Sequence, residues 1–258
     1  MACLNKQVKF LRSLMDSINI GTEAVQYGVT VFASSAKTLL PISADASKFD
    51  ALAMADADRA SWGVGERTFM GQGFDNARAM LASSPRNVAK VCVLITDGKP
   101  SDNVQPTDLR TNTLQPSPAQ VAANALKDNG YAVMALLIGD GVTKTDVGSF
   151  VTEAPIQIAS FSALALAVTA VNTKLSATLC AEEKKVTLAP TKPVRPVAGW
   201  PSTCGKADVA FVVDASSSIN TTSCPARVSS CAAIRPAGPP PITSAADTEQ
   251  PGACAVAG

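Results

Sequence analysis

An α/β fold built on a doubly wound, mostly parallel sheet flanked by helices is predicted by three features of the chain. Lys90 to Thr96 (KVCVLIT) and Tyr131 to Ile138 (YAVMALLI) are unbroken apolar runs, the mark of strands covered on both faces. Helical segments alternate with them over short connections, which implies right-handed crossovers. Oxygen-rich loops stand where these strands end or a helix begins, the position at which open parallel sheets hold ligands.

Taken in order, Leu4, Val8, Leu11, Met15 and Ile18 recur at steps of four and three and place an amphipathic helix over residues 4–18. Ala24 to Phe32 (AVQYGVTVF) is β-branched and aromatic and reads as a strand that stops before Ser34 and Ser35. Helices are predicted over 46–60 and 71–82, the second stopped by Ser83-Ser84-Pro85. After the central strand at 90–96, a helix over 118–128 has Ser117 as its cap, Pro118 in its first turn and Asn129-Gly130 as its end. The strand at 131–138 follows, then a short edge strand over 156–159 and a last helix over 162–179.

The composition then changes. Residues 181–206 are rich in Lys, Pro and Thr and read as a linker. One more buried strand, Asp208 to Val213, runs into Asp214-Ala215-Ser216-Ser217-Ser218. Residues 221–258 are Pro, Ala and Ser with little apolar periodicity and are expected to be disordered.

Lys and Arg total 22 against 21 Asp and Glu, so no net field draws the chain to nucleic acid or an anionic membrane. The absence of histidine removes the commonest general base and transition-metal ligand. No uninterrupted run of 18 apolar residues occurs, so no bilayer-spanning segment is expected. Six of the seven cysteines (Cys3, Cys180, Cys204, Cys224, Cys231, Cys254) lie outside the apolar strands, without zinc-site spacing, as in proteins of oxidising compartments. Cys92, inside a strand, reads as a small core residue. The chain starts without a signal-peptide apolar core. Gly63-x-Gly65 does not complete a dinucleotide fingerprint and reads as a turn. Asp102 and Asp108 read as solvated loop carboxylates, and Asn220-Thr221-Thr222 fits a glycosylation sequon.

Three loops carry the chemistry: Asp214-x-Ser216-x-Ser218, Thr68-x-x-Gly71-x-Gly73, and Thr96-Asp97-Gly98. At these residues the chain resembles the von Willebrand factor A domain family, integrin I-domain-like modules with a Rossmann-like sheet. The metal-ion-dependent adhesion site of that family is written D-x-S-x-S, then T, then D. The resemblance covers residues 1–180, with a partial second copy beginning at 207–220. It departs from the family in one respect: the first 180 residues lack the opening strand, and the D-x-S-x-S strand comes after them. That strand belongs in the middle of the sheet, and its loss would expose two apolar edges. Residues 207–214 have the sequence to fill the slot. The 26 residues between Cys180 and Ala207 reach about 28 Å as a flexible coil, and docking in cis or in trans, as a strand-exchanged oligomer, is equally allowed.

The resemblance implies a metal site of Asp214, Ser216, Ser218, Thr68 and Asp97. Oxygen ligands without imidazole or thiolate select a hard cation, Mg²⁺ or Mn²⁺. The implied function is non-enzymatic adhesion at the cell surface or in the extracellular matrix, through a Glu or Asp carboxylate of a protein ligand, collagen or another matrix protein. An intracellular scaffold in a multiprotein complex and an inactive fragment with an incomplete site are the alternatives. A nucleotide-dependent enzyme would need a phosphate-cradling glycine loop that the sequence lacks.

Overall fold

In the computed structural model, residues 2–45, 48, 67–103, 107–108, 113–183 and 206–216 are described. Helix α1 (Ala2–Asp16) leads into a hairpin of β1 (Val25–Phe32) and β2 (Ala36–Ser43), then α2 (Met70–Ser83) and β3 (Ala89–Thr96). A two-stranded ribbon follows, β4 (Thr107–Asp108) with β5 (Thr113–Leu114), then α3 (Pro118–Asp128) and β6 (Ala132–Ile138). The short α4 (Lys144–Val147), β7 (Ile156–Ile158), α5 (Leu164–Glu183) and β8 (Ala207–Asp214) complete the described chain. The helix expected over 46–60, apart from Lys48, the glycine pair at 63 and 65, most of the linker, and the terminal segment with its sequon lie outside the described residues.

The main sheet has the order β2-β1-β8-β3-β6-β7, and every pairing but β1 with β2 is parallel. The last described strand therefore occupies the centre of the sheet. Along β8, Ala207 to Asp214 pair in unbroken register with Val25 to Phe32 on one side, and Ala207 to Val213 with Ala89 to Ile95 on the other. All eight of its residues are buried.

Because side chains alternate across a strand, the sheet divides the core into two layers. Val91, Val93 and Ile95 join Val209, Phe211 and Val213 beneath α1 and α5, where Leu11, Leu14, Val171 and Leu175 close the packing. Cys92 and Leu94 join Ala210 and Val212 against α2 and α3, with Phe74, Ala77, Leu81 and Leu126. Cys92 is a free thiol, and burial pushes it well above its ordinary range, as a packing residue requires.

Local signals explain most element ends. Ser117 accepts from the Gln120 N–H at 3.2 Å and Pro118 opens α3. Gly130 closes that helix at φ +74°, with Gly130 N–H donating to the Lys127 carbonyl and Tyr131 N–H to that of Leu126; this is the paired closure that a left-handed glycine permits. Strand β2 was not expected from the sequence: Pro41 and Lys37 dilute its pattern. It is tolerated because β2 is an edge strand with a half-exposed face and an irregular register.

The apolar content of α5 is spread rather than continuous. Its segment Leu164–Ala181 is long and apolar enough by composition to cross a membrane. Here Leu164, Val171, Leu175 and Leu179 face the sheet and α1, so one face of the helix packs against the core of this fold.

Candidate metal centre

The site lies at the C-terminal edge of the three central strands, which all point the same way because they are parallel. Strand β3 ends on Thr96 and hands on to Asp97; β8 ends on Asp214 and hands on to Ala215 and Ser216. Beside them, β1 ends at Phe32, whose carbonyl accepts the Ala215 N–H at 2.8 Å and steers the β8 loop across the sheet edge. Thr68 comes from the segment entering α2. Four of the five residues singled out from sequence are thus brought together; Ser218 lies outside the described residues.

Thr68, Asp97, Asp214 and Ser216 are all buried, at 2% exposure or less. Thr68 Oγ1 lies 3.4 Å from Ser216 Oγ. Asp214 is held from both sides: its Oδ1 accepts the Ser216 N–H at 2.9 Å and its Oδ2 accepts the Thr96 hydroxyl at 2.7 Å. Asp97 differs. Among the described residues no donor reaches either of its carboxylate oxygens, although both are buried. Burial, with the Asp214 charge as second cause, pushes the Asp97 carboxyl up from 3.8 to about 7. Asp214 is also raised by burial, against the lowering effect of its Ser216 and Thr96 hydrogen bonds.

A buried carboxylate with no donor is costly, and a cation resolves that cost directly. The donor set is carboxylate-poor: among the described residues no three His, Cys, Asp or Glu side chains converge anywhere. Hydroxyls and two acids on one edge of the sheet could therefore hold a hard, oxygen-seeking ion. Gly98 keeps the space open, since a Cβ there would stand 3.2 Å from Thr68 Oγ1 and 3.8 Å from Asp214 Oδ2.

The Thr68 loop is held by a neighbour that sequence reading left in solvent. Helix α2 has Phe69 at its cap position, a residue whose side chain cannot accept a hydrogen bond. Asp102, from the loop after Asp97, takes over: its Oδ1 accepts from Met70 N–H at 3.1 Å and its Oδ2 from Gly71 N–H at 2.7 Å. Ser101 completes the clamp, its hydroxyl accepting the Thr68 N–H at 3.0 Å and its own N–H donating to the Thr68 carbonyl at 2.8 Å. The apolar cap residue was the signal in the sequence, because the first N–H groups of a helix need an acceptor from somewhere. Gly73 has an equally concrete reason: a Cβ there would meet Val212 Cγ1 at 2.8 Å and the Phe32 ring at 3.0 Å, so α2 can lie against β8 and β1 only without one.

At the opposite end of β8 a second cluster fixes the strand. Arg86 Nη1 donates to Asp208 Oδ1 at 2.6 Å and to the Ala207 carbonyl at 3.2 Å, while Nη2 donates to the Ala24 carbonyl at 2.7 Å. Lys206 pairs with Glu23 just outside. The strand is thereby anchored at its entry, and its loop residues are delivered to the far edge.

Comparison with known proteins agrees with this fold. A sequence model of the von Willebrand factor type A domain matches residues 3–169. Mouse matrilin-4 is 29% identical over 153 residues, covering 57% of this chain and 21% of its own length. Proximal thread matrix protein 1 from the mussel byssus, in a structure with a zinc-occupied MIDAS motif, superposes with a TM-score of 0.50 at 26% identity, over 65% of this chain and 42% of its own. The pilus adhesin SpaC of Lactobacillus rhamnosus GG, at 15% identity and a TM-score of 0.51 over 66% of this chain and 27% of its own, shares the fold. The chain spans about a fifth of matrilin-4 and less than half of the mussel protein.

Proposed function

Because this chain belongs to the von Willebrand factor type A domain family, whose model matches residues 3–169, we propose that it is a matrix or adhesion protein that binds a protein ligand through a divalent ion, without catalysis. The observation that carries the reading is Asp97: a buried carboxylate with no donor beside Asp214, Thr68 and Ser216, at the edge where parallel strands converge. Thr68 and Ser216 would offer hydroxyl oxygens, and Asp97 and Asp214 the negative charge, with Ser218 as a further hydroxyl. An ion bound there supplies an electron-poor coordination position for an anionic oxygen, such as a Glu or Asp carboxylate of a collagen or other matrix ligand.

The oxygen donor set favours Mg²⁺ or Mn²⁺, while zinc in the mussel protein's motif makes Zn²⁺ the ion to test beside them. Around the site, residues 96–98 and 214–216 come from strand ends and keep the donors fixed before a ligand arrives. An extracellular location is supported by the matrix relatives. The test is calorimetric titration of Mg²⁺, Mn²⁺ and Zn²⁺ into the wild-type chain and Asp97→Ala. Saturable heat from the wild type alone is expected; equal heats from both proteins would remove the site.

A further inference from the structure

The candidate site is divided between two stretches of chain. Thr68, Thr96 and Asp97 belong to the body that the family model covers, whereas Asp214 ends β8 and Ser216 follows it, well beyond the match. Between them lies a seam with no covalent crossing among the described residues. It consists of the β8 ladders to β1 and β3, the Arg86 hook at the entry, and the Thr96–Asp214 and Thr68–Ser216 contacts at the exit.

Each of these contacts is made to the strand itself and none depends on which chain supplies it. The 22 residues from 184 to 205 can span at most about 75 Å, so the strand can reach a neighbouring molecule. Its pairing is also remote in sequence, Ala207 with Val25 and with Ala89. Pairing between such distant segments is slow to form, which gives a second copy time to compete for the slot.

We propose that the slot between β1 and β3 is a strand-acceptor surface whose fitting partner is residues 207–216 of a second copy of this chain. Exchange makes a composite site, with Thr68 and Asp97 from one copy and Asp214 and Ser216 from the other. This rests on the metal reading only for the composite site; the exchange itself rests on the seam. Reciprocal exchange closes a dimer, and one-way exchange extends a chain of molecules head to tail. A divalent ion ligated from both sides locks the donated strand, because anything that binds only the assembled site stabilises the assembly.

The experiment uses two full-length chains with different affinity tags, Asp97→Asn and Asp214→Asn, refolded together and apart. A tethered strand has an effective concentration on the order of 1 mM, so the exchanged fraction should rise roughly tenfold when refolding moves from about 10 to about 100 µM. The exchanged species should carry both tags at twice the 26.4 kDa chain mass. Each variant alone should give no saturable Mn²⁺ heat, and the refolded mixture should regain it, from the one body that keeps Asp97 and receives an intact Asp214. A wild-type pair with the same two tags repeats the mass measurement free of any folding defect in the variants. Monomers alone in the wild-type pair at both concentrations overturn the exchange, whatever the metal does. Doubly tagged wild-type dimers without Mn²⁺ heat uphold exchange and remove the metal reading instead. Mn²⁺ heat in the wild type, with doubly tagged dimers but none in the mixture, overturns the composite site.

Discussion

Replacing Asp97 by Asn separates the cost of the buried charge from its use. The carboxyl stands at about 7 in the fold against 3.8 ordinarily, because it is desolvated and faces Asp214. That difference corresponds to about 4 kcal/mol against the ionised form, an upper figure because the surroundings relax. The sign follows from proton counting. Between about pH 4 and pH 7 the folded chain holds a proton on Asp97 that the unfolded chain has lost, so stability falls as pH rises through that window. The substituted amide keeps the shape of the side chain and cannot ionise. In metal-free buffer with chelator, the advantage of Asp97→Asn over the wild type should grow by about 2–4 kcal/mol between pH 5 and pH 8. At roughly 2–4 °C per kcal/mol for a domain of this size, that is about 5–15 °C in Tm. Adding Mg²⁺ or Mn²⁺ at pH 8 should reverse the order, because only the wild type gains by binding. The assay is a thermal melt of both proteins across pH 5–8 with and without metal. Parallel pH profiles for the two metal-free proteins would refute the reasoning, since the charge at Asp97 would then carry no cost.

Three further substitutions probe the frame around the site. Asp102→Ala removes both acceptors at the start of α2; it should cost about 1–2 kcal/mol in denaturant unfolding and weaken metal binding roughly 10–100-fold by calorimetry, as loss of an outer partner does. Gly73→Ala places a methyl 2.8 Å from Val212 Cγ1, and urea unfolding should report a loss of about 1–3 kcal/mol, the usual range for overpacking. Arg86→Ala strands the fully buried Asp208, for an expected loss of about 3–5 kcal/mol; Arg86→Ala with Asp208→Asn should recover a large part of it, and no recovery would show that the charge is not the reason.

The sequence by itself determined the layers and the kind of chemistry. Short continuous apolar runs rich in β-branched residues, such as KVCVLIT, favour strands covered on both faces, and Ser117-Pro118 and Asn129-Gly130 bound a helix through local hydrogen bonding. Loops of serine, threonine and aspartate in a chain without histidine offer oxygen donors, the set that the proposed hard-ion site would use. What lies between chain-distant partners was decided only by tertiary structure. The strand at Ala207–Asp214 could be read as a strand, but its place between β1 and β3 is set by two edges that are far from it in sequence. The edge strand β2 is held by its hairpin with β1 despite Pro41. Asp102 reads as a solvated loop acid until the bare end of α2 is brought against it. The raised carboxyl of Asp97 likewise belongs to no motif: it arises because folding buries two acids side by side, and the energy of that encounter depends on distance and dielectric, which a one-dimensional string does not contain.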